Sequence, residues 1–141
     1  MKLYKREGRR FVEIQNAVGM YYQKDGTFQK ERNENSIGVC VIQTYDVRTV
    51  ALFKMSYGTW GSCKQFCEDC GGYMPTRSQL LQLKSFVKCG DIKQSYYWTQ
   101  DEYSSDYAWY LGLGLGTYFG YCIYDNKNSY GRVLAFVDIP I

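Results

Sequence analysis

The chain has 141 residues, a net charge of +3 and no histidine, with 45% hydrophobic and 22% charged residues. This length predicts one domain with a core of its own, and the composition is that of an ordinary globular protein. The absence of histidine excludes Ser-His and Cys-His catalytic pairs, and no apolar run is long enough to predict a membrane span.

The N-terminal segment is strongly basic. Its basic residues are Lys2, Lys5, Arg6, Arg9 and Arg10. No apolar stretch follows them, so no signal peptide is visible, although a place outside the cell, on a cell surface or in a virion is expected. Residues 1–16 are predicted to form a solvated arm before one domain over residues 17–141. Nucleic-acid binding is not expected, because the aromatic residues that would stack on bases lie at the other end of the sequence.

Three β-rich segments follow the arm. Residues 20–27 predict a short strand that enters a turn at Asp25-Gly26. Residues 37–44 and 49–55 predict two strands that are joined by a hairpin loop.

Two helices are predicted in the middle of the chain. The first covers residues 61–69 and ends at Gly71-Gly72, because glycine tolerates the left-handed conformation that follows many helices. The second covers residues 76–88, where Thr76 and Gln79 have capping-box spacing. Its apolar positions recur at helical intervals: Leu80, Leu83 and Val87.

The six cysteines leave the state of their thiols open. They are Cys40, Cys63, Cys67, Cys70, Cys89 and Cys122. An even number suits disulfides, although six cysteines allow many pairings. Cys63 and Cys67 lie one turn apart on the first helix, but the spacing to the next cysteines does not match paired zinc knuckles. Buried free thiols and one or two disulfides both remain open, and no metal or other cofactor is expected.

The segment over residues 96–132 is rich in tyrosine. It contains nine of the fifteen tyrosines, mixed with Ser, Gly, Asp and Asn. Tyrosine offers a large amphipathic contact area while fixing only two side-chain torsions, and this mixture is typical of antibody-like binding surfaces. A tyrosine-rich antiparallel sheet with ordinary turns would have a similar composition, because tyrosine favours strands. Composition alone leaves both interpretations open.

Two strands are predicted in the last third of the chain. Trp109, Leu111, Leu113 and Leu115 alternate with Tyr110 and glycines, which predicts a strand with one apolar and one nearly bare face. Residues 133–139 are apolar on both faces up to Asp138 and predict a central, buried strand. Because the helices are segregated from the strands, the order predicts an α+β domain.

Several short blocks occur in the order seen in one family. They are residues 17–22 with 25–27, residues 37–39, residues 58–60, Pro75-Thr76 with Leu80 and Leu83, residues 97–103 with 108–110, and Lys127 with residues 133–136. Through these blocks the chain resembles a bacterial C-type-lectin-like domain of surface and fimbria-associated proteins of gut bacteria. It departs from the family at Gly72-Tyr73-Met74, where a Trp-Arg-Leu type run is usual, and at Gly131-Arg132, where Arg-Pro is common. These departures leave the ligand unassigned.

The resemblance implies a C-type-lectin-like fold, with two helices, a mainly antiparallel sheet and a loop-rich half that binds ligands. Calcium-dependent sugar binding is not expected, because the chain lacks the Glu-Pro-Asn type loop and the Trp-Asn-Asp triplet that cluster oxygens around the ion. The chain is also similar to the variable proteins of diversity-generating retroelements, which are often bacteriophage receptor-binding proteins. Their diversified residues lie near the C-terminus and are of the types found between Tyr103 and Tyr130.

Enzymatic activity is not expected. Asp101 and Glu102 are adjacent and would face opposite sides of a strand, which does not suit a carboxylate pair for glycoside hydrolysis. Formylglycine-generating enzymes share the broad fold and use a cysteine pair, but Cys89 and Cys122 have no other part of that active site around them in the sequence.

The sequence thus predicts a recognition domain, adhesin-like or receptor-binding, that binds a surface protein or glycan through a tyrosine-rich face. The expected ligand-binding residues are Tyr103, Ser104, Asp106, Tyr107, Tyr110, Tyr118, Tyr121, Tyr124, Asn126, Asn128 and Tyr130. Most of these tyrosines are predicted to lie on one contiguous exposed patch. The alternative is a structural subunit of a fimbria or phage virion, in which a neighbouring subunit buries that face. A homo-oligomer is compatible with both functions, and membrane insertion is not expected.

Overall fold

The computed structural model describes residues 2–114 and 119–141. They form a mixed α+β protein, mostly sheet with three short helices. The strands are β1 (Leu3–Glu7), β2 (Arg10–Ile14), β3 (Tyr21–Gln23), β4 (Phe28–Gln29), β5 (Ser36–Gln43), β6 (Val47–Gly58), β7 (Tyr96–Glu102), β8 (Tyr107–Gly112), β9 (Tyr121–Asn126) and β10 (Gly131–Pro140). The helices are α1 (Trp60–Asp69), α2 (Arg77–Leu81) and α3 (Lys84–Lys88). None of these helices has the length and apolarity needed to cross a membrane.

The chain is organised in two compact units. Unit 1 combines the chain up to Ala51 with Val137–Ile141, and unit 2 comprises Leu52–Phe136. The boundary that the sequence predicted after residue 16 therefore falls inside unit 1. Leu115 and Tyr118, which belong to the predicted strand and the predicted binding site, lie outside the described residues.

Residues 3–14 form a β-hairpin that was not predicted, and nearly all of its side chains are exposed, as expected for a solvated segment. β1 pairs antiparallel with β2, from Leu3 opposite Ile14 to Glu7 opposite Arg10. The turn between them uses Gly8, whose φ of 61° favours glycine. The prediction gave weight to the basic residues, whereas the aromatic and β-branched residues between them favour strands on both sides of the glycine.

The other strands of unit 1 confirm the predicted β-rich segments. They follow in the order β4-β3-β5-β6, and β3 is antiparallel to both of its neighbours. The predicted turn at Asp25-Gly26 is confirmed, since Gly26 has a φ of 87° and the Asp25 carboxylate accepts hydrogen bonds from the N–H and hydroxyl of Thr27. Buried side chains of β5 and β6 form the core of this unit: Val39, Cys40, Val41, Val50 and Ala51.

Helix α1 confirms the first predicted helix of the chain. The Thr59 hydroxyl caps it by accepting from the N–H of Ser62, and Gly71 follows its end with a φ of 80°. Cys63 and Cys67 lie together on its buried face, as their spacing predicted.

The second predicted helix is divided into two five-residue helices. Thr76 and Gln79 form the predicted capping box, and the three apolar positions of the pattern are buried. The helix is interrupted at Gln82 and Leu83, whose N–H groups donate to the carbonyls three residues before them. This tighter turn changes the direction of the backbone while Leu83 stays buried.

The strands of unit 2 follow in the order β6-β10-β7-β8-β9. β7, β8 and β9 form an antiparallel meander, and β10 pairs in parallel with β7 at Arg132 and Tyr97. With a neighbour on each side and buried residues from Val133 to Val137, β10 is the interior strand that the sequence predicted.

Strand β8 differs from the prediction on the face that was expected to be bare. Tyr110 fills that face: it is buried, and its ring centroid lies 4.1 Å from that of Trp98. The strand ends at Gly112, where a Cβ atom would lie 3.1 Å from the ring of Tyr96. The glycine therefore accommodates a neighbouring side chain of the same protein.

Candidate functional site

Three exposed tyrosines and a tryptophan meet on the outer part of β8 and β9. In the antiparallel register Trp109 lies opposite Tyr124, and Tyr107 lies opposite Asn126. Tyr107, Trp109 and Tyr124 therefore share one face of the sheet. Tyr103, in the loop over residues 103–106 before β8, reaches the same rings. The aromatic cluster is defined as these four residues: Tyr103, Tyr107, Trp109 and Tyr124.

The rings of the aromatic cluster hold one another in place. Tyr103 stacks on Tyr124, with centroids 4.0 Å apart and planes at 4°. Tyr107 and Trp109 stand nearly perpendicular to Tyr124, at centroid distances of 5.9 and 5.3 Å. Stacked and edge-to-face pairs of this kind are each worth about 0.5–1.5 kcal/mol beyond area burial. The rings are thus fixed by their neighbours while the three tyrosines stay exposed.

Lys127 anchors the loop that carries Tyr103. Its ammonium group forms an ion pair with Glu102, donates to the Ser105 carbonyl at 2.9 Å and lies 4.4 Å from the ring centroid of Trp60. Its backbone N–H also donates to the Asp106 carbonyl at 2.8 Å. The hydrogen bond and charge of Lys127 hold the pKa of the Glu102 carboxyl below its usual value.

Arg77 supports the cluster from helix α2. Its guanidinium lies 4.6 Å from the ring centroid of Trp109. Its Nε and its backbone N–H both approach the same Asp101 carboxylate oxygen, at 3.3 and 2.8 Å. A cation over the indole face is attractive, so Trp109 is held between Arg77 and the exposed tyrosines.

The structure brings together only part of the predicted site. Tyr103, Tyr107 and Tyr124 belong to the cluster, and Ser104 and Asp106 lie in the exposed loop beside it. The remaining described tyrosines of the predicted patch, Tyr121 and Tyr130, are exposed at 55% and 62% but lie elsewhere.

Strand alternation explains why a single contiguous patch does not form. Tyr121 lies opposite Gly112, three residues from Tyr124, and therefore faces the other side of the sheet. Tyr130 instead contacts Tyr57, with ring centroids 5.6 Å apart. The prediction of one patch is wrong for these two residues.

Tyr110 is a core residue, which corrects its assignment to the binding site. It is 7% exposed, packs on Trp98 and donates its hydroxyl hydrogen to Asp125 at 3.0 Å. Burial, together with this hydrogen bond, raises the pKa of Tyr110. The physical reason is again alternation, since the residue after Trp109 must face the opposite side of the strand.

Asn126 and Asn128 build a polar turn. The Asn128 N–H donates to the side-chain oxygen of Asn126 at 2.8 Å, and the Asn126 N–H donates to Asp125 at 2.6 Å. Asn126 still lies on the face of the cluster, opposite Tyr107. Its side-chain oxygen therefore accepts a hydrogen bond within the turn.

Three residues of the site were not predicted from the sequence. Trp109 was assigned to an apolar interior face, although its spacing from Tyr107 already placed both side chains on one side of a strand. Arg77 and Lys127 reach the cluster through contacts with Asp101, Glu102 and Trp60, which are distant in sequence, so no local pattern could identify them.

A polar cleft of about 350 Å³ lies next to the anchored loop. Glu102, the partner of Lys127, is part of its wall. Its lining residues are Trp60, Lys64, Glu68, Tyr73, Met74, Gln100 and Glu102. The surface next to Tyr103 therefore includes charged groups of both signs.

Three of the cysteines are buried: Cys40, Cys63 and Cys67. All six are free thiols. Burial raises the pKa of Cys40 and Cys63 to about 11 and that of Cys67 to about 12, so these thiols are protonated and unreactive at neutral pH. Within residues 2–114 and 119–141, no group of three or more Cys, Asp or Glu side chains is arranged to hold a metal ion.

No protein-family model matches this sequence, and no curated protein matches it significantly. The function is therefore argued from the geometry of the aromatic cluster.

Proposed function

We propose that this chain is a non-enzymatic recognition domain that binds a protein on the surface of another cell through the aromatic cluster. The observation that carries the proposal is a set of exposed tyrosine rings that are fixed before any partner arrives. Tyr, Trp and Arg dominate the energy of protein interfaces. Rings that already occupy one arrangement lose little entropy when a partner binds.

The ring arrangement favours a protein over a glycan as the partner. A sugar ring packs its C–H groups on an open aromatic face, but one face of Tyr124 is covered by Tyr103, only 4.0 Å away. The stacked pair presents ring edges and hydroxyl groups, which suit the mixed polar and apolar surface of a protein. The charged cleft beside Glu102 would add polar contacts at the rim.

The proposal includes the C-type-lectin-like fold and an adhesin-like or receptor-binding role. It does not require the binding residues to be diversified. Two features support the fold: helices that precede the β7-β8-β9 meander, and a final interior strand, β10. Sequences of sibling proteins would test the similarity to diversified proteins. Differences concentrated at Tyr103, Tyr107 and Tyr124 on a constant frame would support it, and a uniform spread of differences would contradict it.

Binding to an array of cell-surface ectodomains and glycans tests the function. The wild-type chain is compared with the triple variant Tyr103→Ala/Tyr107→Ala/Tyr124→Ala on every ligand that it binds. Because the best aromatic anchors contribute about 2 kcal/mol or more each, we expect the triple variant to bind at least about 100-fold more weakly.

The chain offers a matched control in Tyr57→Ala/Tyr130→Ala. These two tyrosines are also exposed and in ring contact, but outside the cluster. The control should bind like the wild type, and circular dichroism should show that both variants remain folded. Equal loss of binding in both variants, or full binding by the triple variant, would contradict the proposal.

A structural subunit of a fimbria or virion is the second candidate. It is favoured by the exposed rings outside the cluster, at Tyr96, Tyr121 and the Tyr57–Tyr130 pair, because a subunit needs more than one contact surface. Light scattering after size exclusion separates the two functions. A monomer at micromolar concentration favours recognition, and an ordered oligomer that disappears in Tyr96→Ala/Tyr121→Ala favours assembly.

A further inference from the structure

The hairpin of β1 and β2 combines exposed rings with cations on one face of unit 1. Tyr4 and Phe11 are 51% and 73% exposed. Arg6 lies opposite Phe11, and Tyr4 lies opposite Glu13, so that Tyr4, Arg6, Phe11 and Glu13 share a face. This set of residues is called the hairpin face.

An open cleft of about 600 Å³ adjoins the hairpin face. Tyr45, in the loop before β6, is 64% exposed and forms part of its wall. The lining residues are Lys2, Leu3, Tyr4, Phe11 and Tyr45. The cleft is therefore lined by three aromatic residues and one lysine.

The hairpin also carries the whole net charge of the chain. Residues 1–14 contain five basic and two acidic residues, which gives +3, equal to the charge of all 141 residues. Lys5 donates to the main-chain oxygen of Ile141 at 3.5 Å, and the Arg6 Nε donates to the Gly8 carbonyl at 3.0 Å. Among the residues that the structure describes, Lys2, Arg6, Arg9 and Arg10 form no ion pair with a carboxylate. A basic surface with exposed rings suits a partner that supplies negative charge and flat apolar groups.

We infer that the hairpin face binds single-stranded nucleic acid, with bases stacked on Tyr4, Phe11 and Tyr45 and phosphates held by Lys2 and Arg6. Rings on a β-surface flanked by Lys and Arg are the recurring solution for binding single strands. A second copy of the chain is disfavoured as the occupant, because it would bring two surfaces of charge +3 together. The sequence alone argued against nucleic acid because its basic and tyrosine-rich segments are far apart, but the hairpin supplies rings within the basic segment itself.

Fluorescence anisotropy with a labelled oligothymidylate of about 20 nucleotides tests this inference directly. We expect binding whose affinity falls by about sevenfold between about 50 and about 200 mM salt, as two phosphate contacts on a single strand imply. The inference does not depend on the proposed protein partner, and this experiment leaves the aromatic cluster unchanged. Absence of binding at the lower salt concentration would overturn it.

Substitutions distinguish the stacking of bases on the rings from nonspecific electrostatic attraction. Tyr4→Ala/Phe11→Ala should weaken binding by at least about tenfold, whereas Tyr4→Phe/Phe11→Tyr keeps both rings and should bind like the wild type. Glu13→Gln should bind more tightly, because it removes a carboxylate from the hairpin face. Loss of affinity in the ring-preserving pair, or none in the alanine pair, would overturn the stacking arrangement.

Charge variants and vesicles complete the test. Lys2→Gln/Arg6→Gln should weaken binding and flatten its salt dependence by about 1.4 in log–log slope. Lys84→Gln/Lys88→Gln on α3 removes the same charge and should have no effect, and circular dichroism checks that every variant keeps its fold. Equal weakening in both charge variants, or binding to phosphatidylserine vesicles without binding to the oligonucleotide, would overturn the inference in favour of diffuse attraction or a membrane surface.

Discussion

Gly131 shows how closely single residues are packed around Trp98. Trp98 is fully buried and donates its indole N–H to the Gly58 carbonyl at 3.2 Å. A Cβ atom at Gly131 would lie 2.9 Å from that indole nitrogen and 3.0 Å from the ring of Tyr110. Glycine is therefore required at this position for close approach and not for a turn.

Gly131→Ala is expected to lower the free energy of unfolding by about 1–3 kcal/mol, because the added methyl group must displace two buried rings. Urea denaturation measures the change. Gly61→Ala is the matched control, since Gly61 lies in α1 with no atom near the added carbon. It should raise the free energy of unfolding, by up to about 1 kcal/mol. An unchanged free energy of unfolding in Gly131→Ala would show that the core around Trp98 can relax.

At the scale of elements, α2 depends on its cap more than a longer helix would. It has five residues, and the reciprocal hydrogen bonds between Thr76 and Gln79 satisfy its first N–H groups. Arg77, the first residue of this helix, is also the cation over Trp109. The cap therefore positions a residue that contacts the aromatic cluster.

Thr76→Ala is expected to cost about 1 kcal/mol of unfolding free energy, the usual effect of losing an N-cap. Thermal or urea unfolding provides the measurement. Ser78→Ala, at an exposed position two residues further along the chain, should change the free energy of unfolding by less than about 0.5 kcal/mol. Equal effects of the two substitutions would indicate that the capping box contributes little.

The loop over residues 103–106 is a second element whose order depends on distant contacts. The N–H groups of Tyr103 and Ser104 donate to the Tyr107 carbonyl, at 2.9 and 3.1 Å. Lys127 closes the loop from β9 through Glu102 and Ser105. The loop that positions Tyr103 against Tyr124 is therefore held by its own backbone hydrogen bonds and by the ammonium group of Lys127.

Lys127→Met is expected to speed hydrogen exchange at Tyr103 and Ser104 by at least about tenfold, because the loop loses its ion pair and its hydrogen bond. Lys64→Met is the control, since Lys64 also lies over the Trp60 ring, at 5.6 Å. It should leave exchange unchanged. Because the pKa of Glu102 is lowered, protection should persist through neutral and mildly acidic pH and be lost only as the pH falls through that lowered pKa. Unchanged exchange in Lys127→Met would contradict the anchoring role.

At the scale of the whole molecule, buried thiol and phenol groups are expected to lower the free energy of unfolding at high pH. Burial raises the pKa of Cys40 and Cys63 to about 11, and those of Cys67 and Tyr97 to about 12. Unfolding exposes these groups to water, where their pKa values return to about 8.5 for a thiol and about 10 for a phenol. The unfolded chain therefore releases protons at a lower pH than the folded chain does.

The free energy of unfolding is expected to be constant between about pH 6 and about pH 8 and to fall as the pH rises towards 11, by up to about 1.4 kcal/mol per pH unit for each group. The sign follows because the folded state binds more protons than the unfolded state in this range. Urea denaturation under reducing conditions at several pH values measures the slope. Cys67→Ala removes one of these groups and should make the decline less steep. A stability that is constant up to pH 11 would contradict the prediction.

Local sequence patterns were enough to predict the features that involve residues close together in the chain. The capping box at Thr76, the turn at Gly26, the end of α1 at Gly71 and the interior position of β10 were all predicted, because each follows from a local conformational preference or from the period of apolar residues. The exposure of Tyr103, Tyr107 and Tyr124 was predicted as well, from the polar residues around them.

The contacts among the residues of the aromatic cluster could be identified only from the tertiary structure. The register of β8 and β9 brought Tyr124 to Trp109 and turned Tyr110 and Tyr121 to the other side, and a shift of one residue would have reversed that choice. Lys127 and Arg77 reached the cluster across 25 and 24 residues of sequence, from Glu102 and Asp101. Such contacts depend on the arrangement of strands and helices in space, about which the local pattern of side chains carries no information.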